Sequence, residues 1–262
     1  MPYISVDIAE DVATLVIDRP PQNRIDDRMV DELEAAVTTI ERSGARAVLL
    51  RSEGENFSFG GDIMEWPDAS VNELRARFEH YMDVFNRFER LSMPVIAAVQ
   101  GLCFGGGLEL ALRADLVFAG ESATFGHPEQ TLGIVTLLGG IYRVAERAGR
   151  ARAAEWALTS ERVPAAAMER FGVVNRVLPD ACLQHEALEF ARKVAKGPTR
   201  AHAVHKALLR AWTTGGIDTA DDAMFDIAMP LFETRDVQRG LRSAVDALKA
   251  GKPRPTLDFE GR

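Results

Sequence analysis

The chain has 262 residues, 47% of them hydrophobic and 27% charged, with a formal net charge of −8. That composition fits a globular protein with one large domain or a domain plus a smaller appendage, and it excludes a disordered or fibrous chain. The acidic balance argues against nucleic acid as the main partner, because phosphate binding calls for basic surface. Residues 3–8 (Y-I-S-V-D-I) alternate between apolar and polar, residues 12–17 (V-A-T-L-V-I) do so more loosely, and the E-D between them marks a tight turn, so a hairpin is expected. D-R-P-P-Q-N ends the pattern. From Asp26 to Ser43 the apolar positions Met29, Val30, Leu33, Val37 and Ile40 fall at helical spacing. A-V-L-L-R-S (47–52) reads as a short buried strand, 73–91 as a long amphipathic helix and P-V-I-A-A-V (94–99) as a second buried strand. A glycine run and a helix follow, then strands at A-D-L-V-F-A-G (114–120) and F-G-V-V-N-R-V-L (171–178). Strands alternating with helices imply an α/β fold with largely parallel pairing.

From about Leu183 the strand signal stops. Residues 183–250 are helical in pattern, with breaks expected at K-G-P (196–198) and T-T-G-G (213–216). Met224, Phe225, Ile227, Met229, Leu231 and Phe232 are more apolar surface than the few following helices can cover, so part of it is expected against a neighbouring subunit or the α/β part. The tail G-K-P-R-P-T-L-D-F-E-G-R is polar and proline-rich and is expected to be extended. The division read from this is an α/β core over 1–195 and a helical oligomerisation region over 196–262.

Cys103 and Cys182 show no Cys-x-x-Cys spacing and read as reduced, buried packing residues of an intracellular, cytoplasmic protein. The start M-P-Y-I-S-V-D-I-A-E lacks the basic and apolar regions of a signal peptide, and no apolar run reaches membrane-span length, so no membrane partner is expected.

Two glycine turns carry the chemistry. In N-F-S-F-G-G-D-I-M-E-W (56–66), Gly60 and Gly61 follow a strand and Asp62 is placed to cap a helix. In Q-G-L-C-F-G-G-G-L-E-L-A-L (100–112), Gly105, Gly106 and Gly107 open a helix whose first N–H groups lack partners. The run matches neither the dinucleotide fingerprint nor a phosphate loop, whereas free N–H groups at a helix start suit a developing oxyanion. Glu109 stands among Leu108, Leu110, Ala111 and Leu112, and Glu129 follows Pro128 at another helix start. Taken alone, each glutamate is more often structural than catalytic, and the first glycine turn more often a plain strand-to-helix connection.

Taken together, these features resemble the enoyl-CoA hydratase/isomerase family, the crotonases. The resemblance runs from V-A-T-L-V-I-D-R-P-P-Q-N through F-S-F-G-G-D-I-M-E and the block V-I-A-A-V-Q-G-L-C-F-G-G-G-L-E-L-A-L-R-A-D-L-V-F-A-G-E-S-A-T-F-G-H-P-E-Q-T-L-G-I to T-S-E-R-V-P-A-A-A-M-E-R-F-G-V-V-N-R-V-L. It implies a crotonase-like spiral of strand–strand–helix turns with a helical C-terminal region, assembled as a homotrimer or a hexamer of two trimers. It implies an acyl-CoA substrate whose thioester oxygen is held by the N–H groups of Gly61 and Gly106. Glu109 then corresponds to the group that activates water and Glu129 to the group that protonates the α carbon. Phe59, Gly60, Asp62, Met64, Trp66, Gly105 and Leu137 fall at substrate-binding positions. No metal and no separate cofactor are implied, coenzyme A being part of the substrate.

The sequence departs from the family in three places. Phe59-Gly60-Gly61-Asp62 replaces the usual alanine-containing turn, Met64 stands where many relatives have lysine, and G-I-V-T-L-L-G-G (133–140) lacks the proline common in hydratases. Met64 and Trp66 are expected to narrow the acyl site or only to pack the loop, and Leu137 and Leu138 to line the pocket or fill core. His127 tunes the site or is a plain buried or surface histidine. His202 and His205 lie three apart without a third metal ligand and read as a solvated face, and Lys249, Lys252 and Arg254 read as a solubilising tail, the alternative being contact with the CoA phosphates of a neighbouring subunit. The leading expectation is an enoyl-CoA hydratase. The alternatives are an isomerase or another reaction through the same enolate, and a non-catalytic scaffold or RNA-binding protein of the same fold.

Overall fold

The computed structural model describes residues 2–262. Strand β1 (Ile4–Ala9) and strand β2 (Val12–Ile17) form the hairpin, with Glu10 and Asp11 both at positive φ, as a two-residue turn of matching twist requires. Helix α1 (Asp27–Arg42) starts at Asp26, whose carboxylate accepts the Met29 N–H at 2.9 Å, and it buries Met29, Val30, Leu33, Val37 and Ile40. Strand β3 (Ala47–Ser52) precedes helix α2 (Val71–Glu89), which a Ser70/Glu73 capping box opens. Next come β4 (Val95–Val99), β5 (Leu102–Phe104), α3 (Gly106–Ala111), β6 (Leu116–Gly120) and β7 (Thr124–Gly126). A 3-10 turn (Pro128–Leu132), α4 (Gly140–Ala148), α5 (Arg150–Thr159), β8 (Val163–Pro164), α6 (Ala165–Arg170) and β9 (Arg176–Leu178) complete the α/β part. Helices α7 (Leu183–Ala195), α8 (Thr199–Ala228) and α9 (Arg235–Lys249) follow.

The main sheet runs β1-β2-β3-β4-β6-β9 and is parallel except for the hairpin. Every residue of β4 is buried, because both faces of the sheet are covered. Ile96 and Ala98 pack with Leu49 and Phe118 against Ala187, Ala191 and Ala195 of α7, while Val95, Ala97 and Val99 join the larger core under α1 and α2. The alanines recur every fourth residue and let α7 lie close to the sheet. A second, three-stranded sheet, β5-β7-β8, has no counterpart in the sequence reading, because its strands are too short for any alternation to register.

Two expectations are corrected. The strand read over 171–178 is confined to 176–178, since Gly172 takes positive φ and Asn175 is tied to Val117 by bonds from both its backbone and its side chain. The break read at 213–216 is present: Gly216 takes φ 80° and ψ −166° and divides α8 into two helical arms, and just before it the Thr213 and Thr214 hydroxyls donate to the carbonyls of Leu209 and Arg210. Cys182 is exposed, whereas Cys103 is buried; both thiols are free. The tail has no regular structure, in keeping with the extended reading, and is pinned: Asp236 accepts the N–H groups of Glu260 and Gly261, and Arg46 donates to Phe259 O. Helix α7 ends at Ala195 and α8 begins at Thr199, on either side of K-G-P.

Buried Asn23 ties the end of the hairpin to the loop after β3. Its Nδ2 donates to Glu53 O at 3.0 Å and Asn56 O at 2.9 Å, and its Oδ1 accepts the Arg19 N–H at 2.8 Å. Asn23→Ala leaves these groups without their partner, and a loss of about 2–4 kcal/mol is expected in urea unfolding. A loss below about 0.5 kcal/mol would show that the loop holds without it.

Candidate active site

Two strand ends deliver the site. The chain beyond β3 and the chain beyond β4 lie side by side, joined by Ser58 N–H to Leu102 O (3.1 Å) and Phe104 N–H to Ser58 O (2.9 Å). The outer ends of parallel strands are where α/β sheets leave room for a ligand. Gly60, at φ +89°, makes the turns meet: a Cβ there would lie 2.8 Å from Phe104 O and 3.0 Å from Gly106 N. Gly105, at φ +49°, sends the chain from β5 into α3.

This packing aims two N–H groups the same way. Ile25 N–H donates to Gly60 O (2.9 Å) and Asp62 N–H to Ile25 O (2.8 Å), which turns the Gly61 N–H between them away from the pairing. Gly106 opens α3, so its N–H has no partner within the helix. Neither N–H donates to a protein acceptor among the described residues, and both glycines line one cavity of about 220 Å³. A Cβ on Gly106 would lie 3.6 Å from Gly61 N.

Glu109 and Glu129 line the same cavity. Glu109 is buried, and its Oε1 accepts the N–H groups of Leu138 (2.8 Å) and Gly140 (2.9 Å). Burial raises its pKa; those two N–H groups and the charges of Arg113 and Arg143 oppose the rise. Burial pushes Glu129 up to about 7, and the negative charge of Glu109 adds to the effect. Behind them, buried Arg113 donates to Leu138 O at 2.7 Å and to Asn86, and pairs with Glu89 at 2.9 Å. Glu89 also holds Arg143 at 2.6 Å.

An aromatic wall closes the far side. Trp66 stacks edge-on against Phe78 at 5.1 Å, and Phe78 against Tyr81 at 6.0 Å. The Trp66 ring would lie 2.9 Å from a Cβ on Gly61, so glycine is needed at that position. Tyr81 donates to Asp27 at 2.7 Å, and burial raises its phenol.

Of the positions singled out in the sequence, Phe59, Gly61, Trp66, Gly105, Gly106, Glu109, Glu129 and Leu137 line this cavity. Gly60, Asp62 and Met64 do not, and Met64 is 80% exposed. The helix expected to begin at Asp62 is absent; α2 starts at Val71, and Asp62 instead pairs with Arg19 at 2.7 Å. Sequence reading missed Phe78 and Tyr81, whose three-residue spacing on α2 was a usable signal, and Arg24, which gave none. Among the described residues no group of three potential metal ligands occurs, and no helix is long and apolar enough to cross a membrane.

Comparison with known proteins places this arrangement among relatives. Residues 7–251 match the family model described as enoyl-CoA hydratase/isomerase. The chain is 32% identical over 241 residues to a short-chain-enoyl-CoA hydratase of Clostridium acetobutylicum, covering 91% of this chain and 92% of that one. It is 32% identical over 203 residues to the mevalonyl-coenzyme A hydratase of Aspergillus fumigatus, covering 77% and 75%. Among solved structures it is similar to an enoyl-CoA hydratase from Bacillus anthracis, with a TM-score of 0.88, 29% identity and coverage of 98% and 100%.

Because burial chiefly raises Glu129 and the charge on Glu109 adds to it, Glu109→Gln is expected to lower the Glu129 titration midpoint below about 7, with the part due to burial remaining. Carboxyl carbon NMR, with the Glu129 signal assigned by its loss in Glu129→Gln, reads this directly. An unchanged midpoint would show that the two carboxyls do not sense each other.

Proposed function

The chain belongs to the enoyl-CoA hydratase/isomerase family and is an enzyme of that family, and from that premise we propose that it adds water across the double bond of a 2-enoyl-CoA thioester. The observation that carries this reading is the pairing of two free N–H groups with one buried and one half-buried carboxyl around one cavity.

Addition of water to the β carbon drives negative charge onto the thioester oxygen. The N–H groups of Gly61 and Gly106 are the donors for that charge, and being part of the backbone they need no reorganisation as it develops; loss of one such donor costs about 2.7–4 kcal/mol in comparable sites. Glu109 takes a proton from the attacking water; its Oε1 is anchored by two N–H groups, which leaves Oε2 for that task. Glu129, with a pKa of about 7, is protonated in a large share of molecules at neutral pH and delivers its proton to the α carbon. The cavity of about 220 Å³, walled by Trp66, Phe78 and Tyr81, favours a short acyl chain, since pockets for larger ligands span about 300–1,000 Å³. The coenzyme A portion belongs to the substrate, and no further cofactor enters the scheme.

The protein's assembly and location are part of the same proposal. No residue of α8, which Gly216 divides, is buried, and Leu209, Ile217 and Phe225 are among its exposed side chains. A homotrimer, alone or paired into a hexamer, would cover that surface. A cytoplasmic setting suits the two free thiols.

With crotonyl-CoA, the conjugated thioester absorbance is expected to fall in the presence of the enzyme, and Glu109→Gln and Glu129→Gln are each expected to slow that loss by at least about 100-fold. Tight binding without any loss would overturn short-chain hydration and favour another reaction of the same enolate. Sedimentation is expected to give three or six copies; a monomer at micromolar concentration would contradict the assembly.

A further inference from the structure

Three buried polar atoms without partners meet beside the cavity. Both ring nitrogens of His127 and Oε2 of Glu129 lack hydrogen bonds, and His127 Nδ1 faces that oxygen across 3.9 Å. Buried polar groups are rarely left unmade, because each has lost its water. The gap is about 1 Å longer than a direct bond and too short for an unstrained bridging water. A small rotation of either side chain satisfies two of the three atoms at once.

The ring is placed there by the fold. His127 is 2% exposed and packs against Gly140, where a Cβ would lie 2.6 Å from its Cε1 and 2.9 Å from Glu109 Cγ. The ring thus sits beside Glu129 and next to the backbone that Glu109 also packs on, in room that glycine at 140 leaves. Burial lowers the imidazole to about 4, so at neutral pH it is uncharged and carries one N–H. The charges facing the pair are Glu109 from α3 and, behind it, Arg113 and Arg143 held on Glu89. Helix α5 packs on the same turn and adds no charge to either group.

We propose that His127 is a positioning residue whose Nδ1–H donates to Glu129 Oε2, leaving the transferable proton on Oε1, the oxygen beside Gly105. That oxygen lies 3.2 Å from where a Cβ on Gly105 would be, on the cavity side. A carboxyl with both oxygens free would place its proton on either one, and only one of them faces the substrate. The use made of the proton rests on the hydratase reading; its placement does not. In the proton count, neutral His127 keeps its Nδ1–H throughout. Glu129 gives its Oε1 proton to the α carbon and becomes a carboxylate, still held by that Nδ1–H. Glu109 holds the proton taken from water, and its return to Glu129, directly or through solvent, restores the resting pair.

The test is a carboxyl carbon NMR titration of Glu129 in the wild type, His127→Leu and His127→Asn, with kcat and KM measured against pH. A hydrogen bond to the carboxylate lowers its pKa, so His127→Leu is expected to raise the Glu129 midpoint by about one pH unit or more. It is also expected to move the alkaline limb of kcat to higher pH, and to lower kcat at least about tenfold with little change in KM. His127→Asn, whose side-chain N–H falls near the Nδ1 position, is expected to restore the midpoint and most of kcat. An unmoved midpoint in folded His127→Leu, or equal midpoints in the two variants, would overturn the proposal and leave His127 as packing. The titration needs no turnover, so a midpoint that moves in an enzyme hydrating no 2-enoyl-CoA supports the positioning and overturns the hydratase reading alone.

Discussion

The close approach of two glycine turns is the constraint on which the rest of the site depends. The segments leaving β3 and β4 are drawn together until Gly60 fits under Phe104 O and Gly106 N, and until Gly107 leaves only the space that Ser58 fills. Ser58 locks the contact: its hydroxyl donates to Asn23 O at 2.6 Å and accepts the Gly60 N–H at 3.1 Å. The Gly61 and Gly106 N–H groups take no part in these bonds, and both glycines line one cavity. The two free donors are therefore a by-product of how tightly the turns pack, and side chains at these positions would separate them.

A second constraint is electrostatic. Residues 133–139 have no regular structure beyond the end of the 3-10 turn, yet they must present the Leu138 and Gly140 N–H groups to Glu109. Glu89 of α2 holds Arg113, in the turn after α3, and Arg143 of α4, and Arg113 holds Leu138 O. Two helices, that turn and the loop are thus joined through one carboxylate. Replacing one member would leave a buried charge exposed to a low-dielectric surrounding, which is costlier than the pair is favourable. The same cations pull Glu109 back towards its ionised form, so the network that places the loop also helps to set the charge of the site.

The parts of the fold carried by long periodic segments were legible in the sequence. The hairpin, α1, and β3 and β4 show apolar patterns that burial explains. The second sheet was not legible, because strands of two or three residues carry no period and depend on the glycine turns for their position. The break within α8 was legible, because the T-T-G-G run signals it and Gly216 takes a backbone conformation that no helix accommodates. At the site, the glycine runs and both glutamates stood out by residue type. The aromatic wall from α2 and the Arg113–Glu89–Arg143 group did not, because each depends on residues far apart in the chain meeting at one place.

The most direct measurement on the central claim is the infrared stretch of the thioester carbonyl in a bound, unreactive saturated acyl-CoA, isolated by carbon-13 labelling of that carbonyl. If the Gly61 and Gly106 N–H groups both donate to the oxygen, the band is expected at lower frequency than in water, because two fixed donors polarise the bond more than mobile solvent does. A bound ligand whose carbonyl band sits at or above its value in water would contradict that assignment, and with it the reading of the two glycine turns as the place where charge develops.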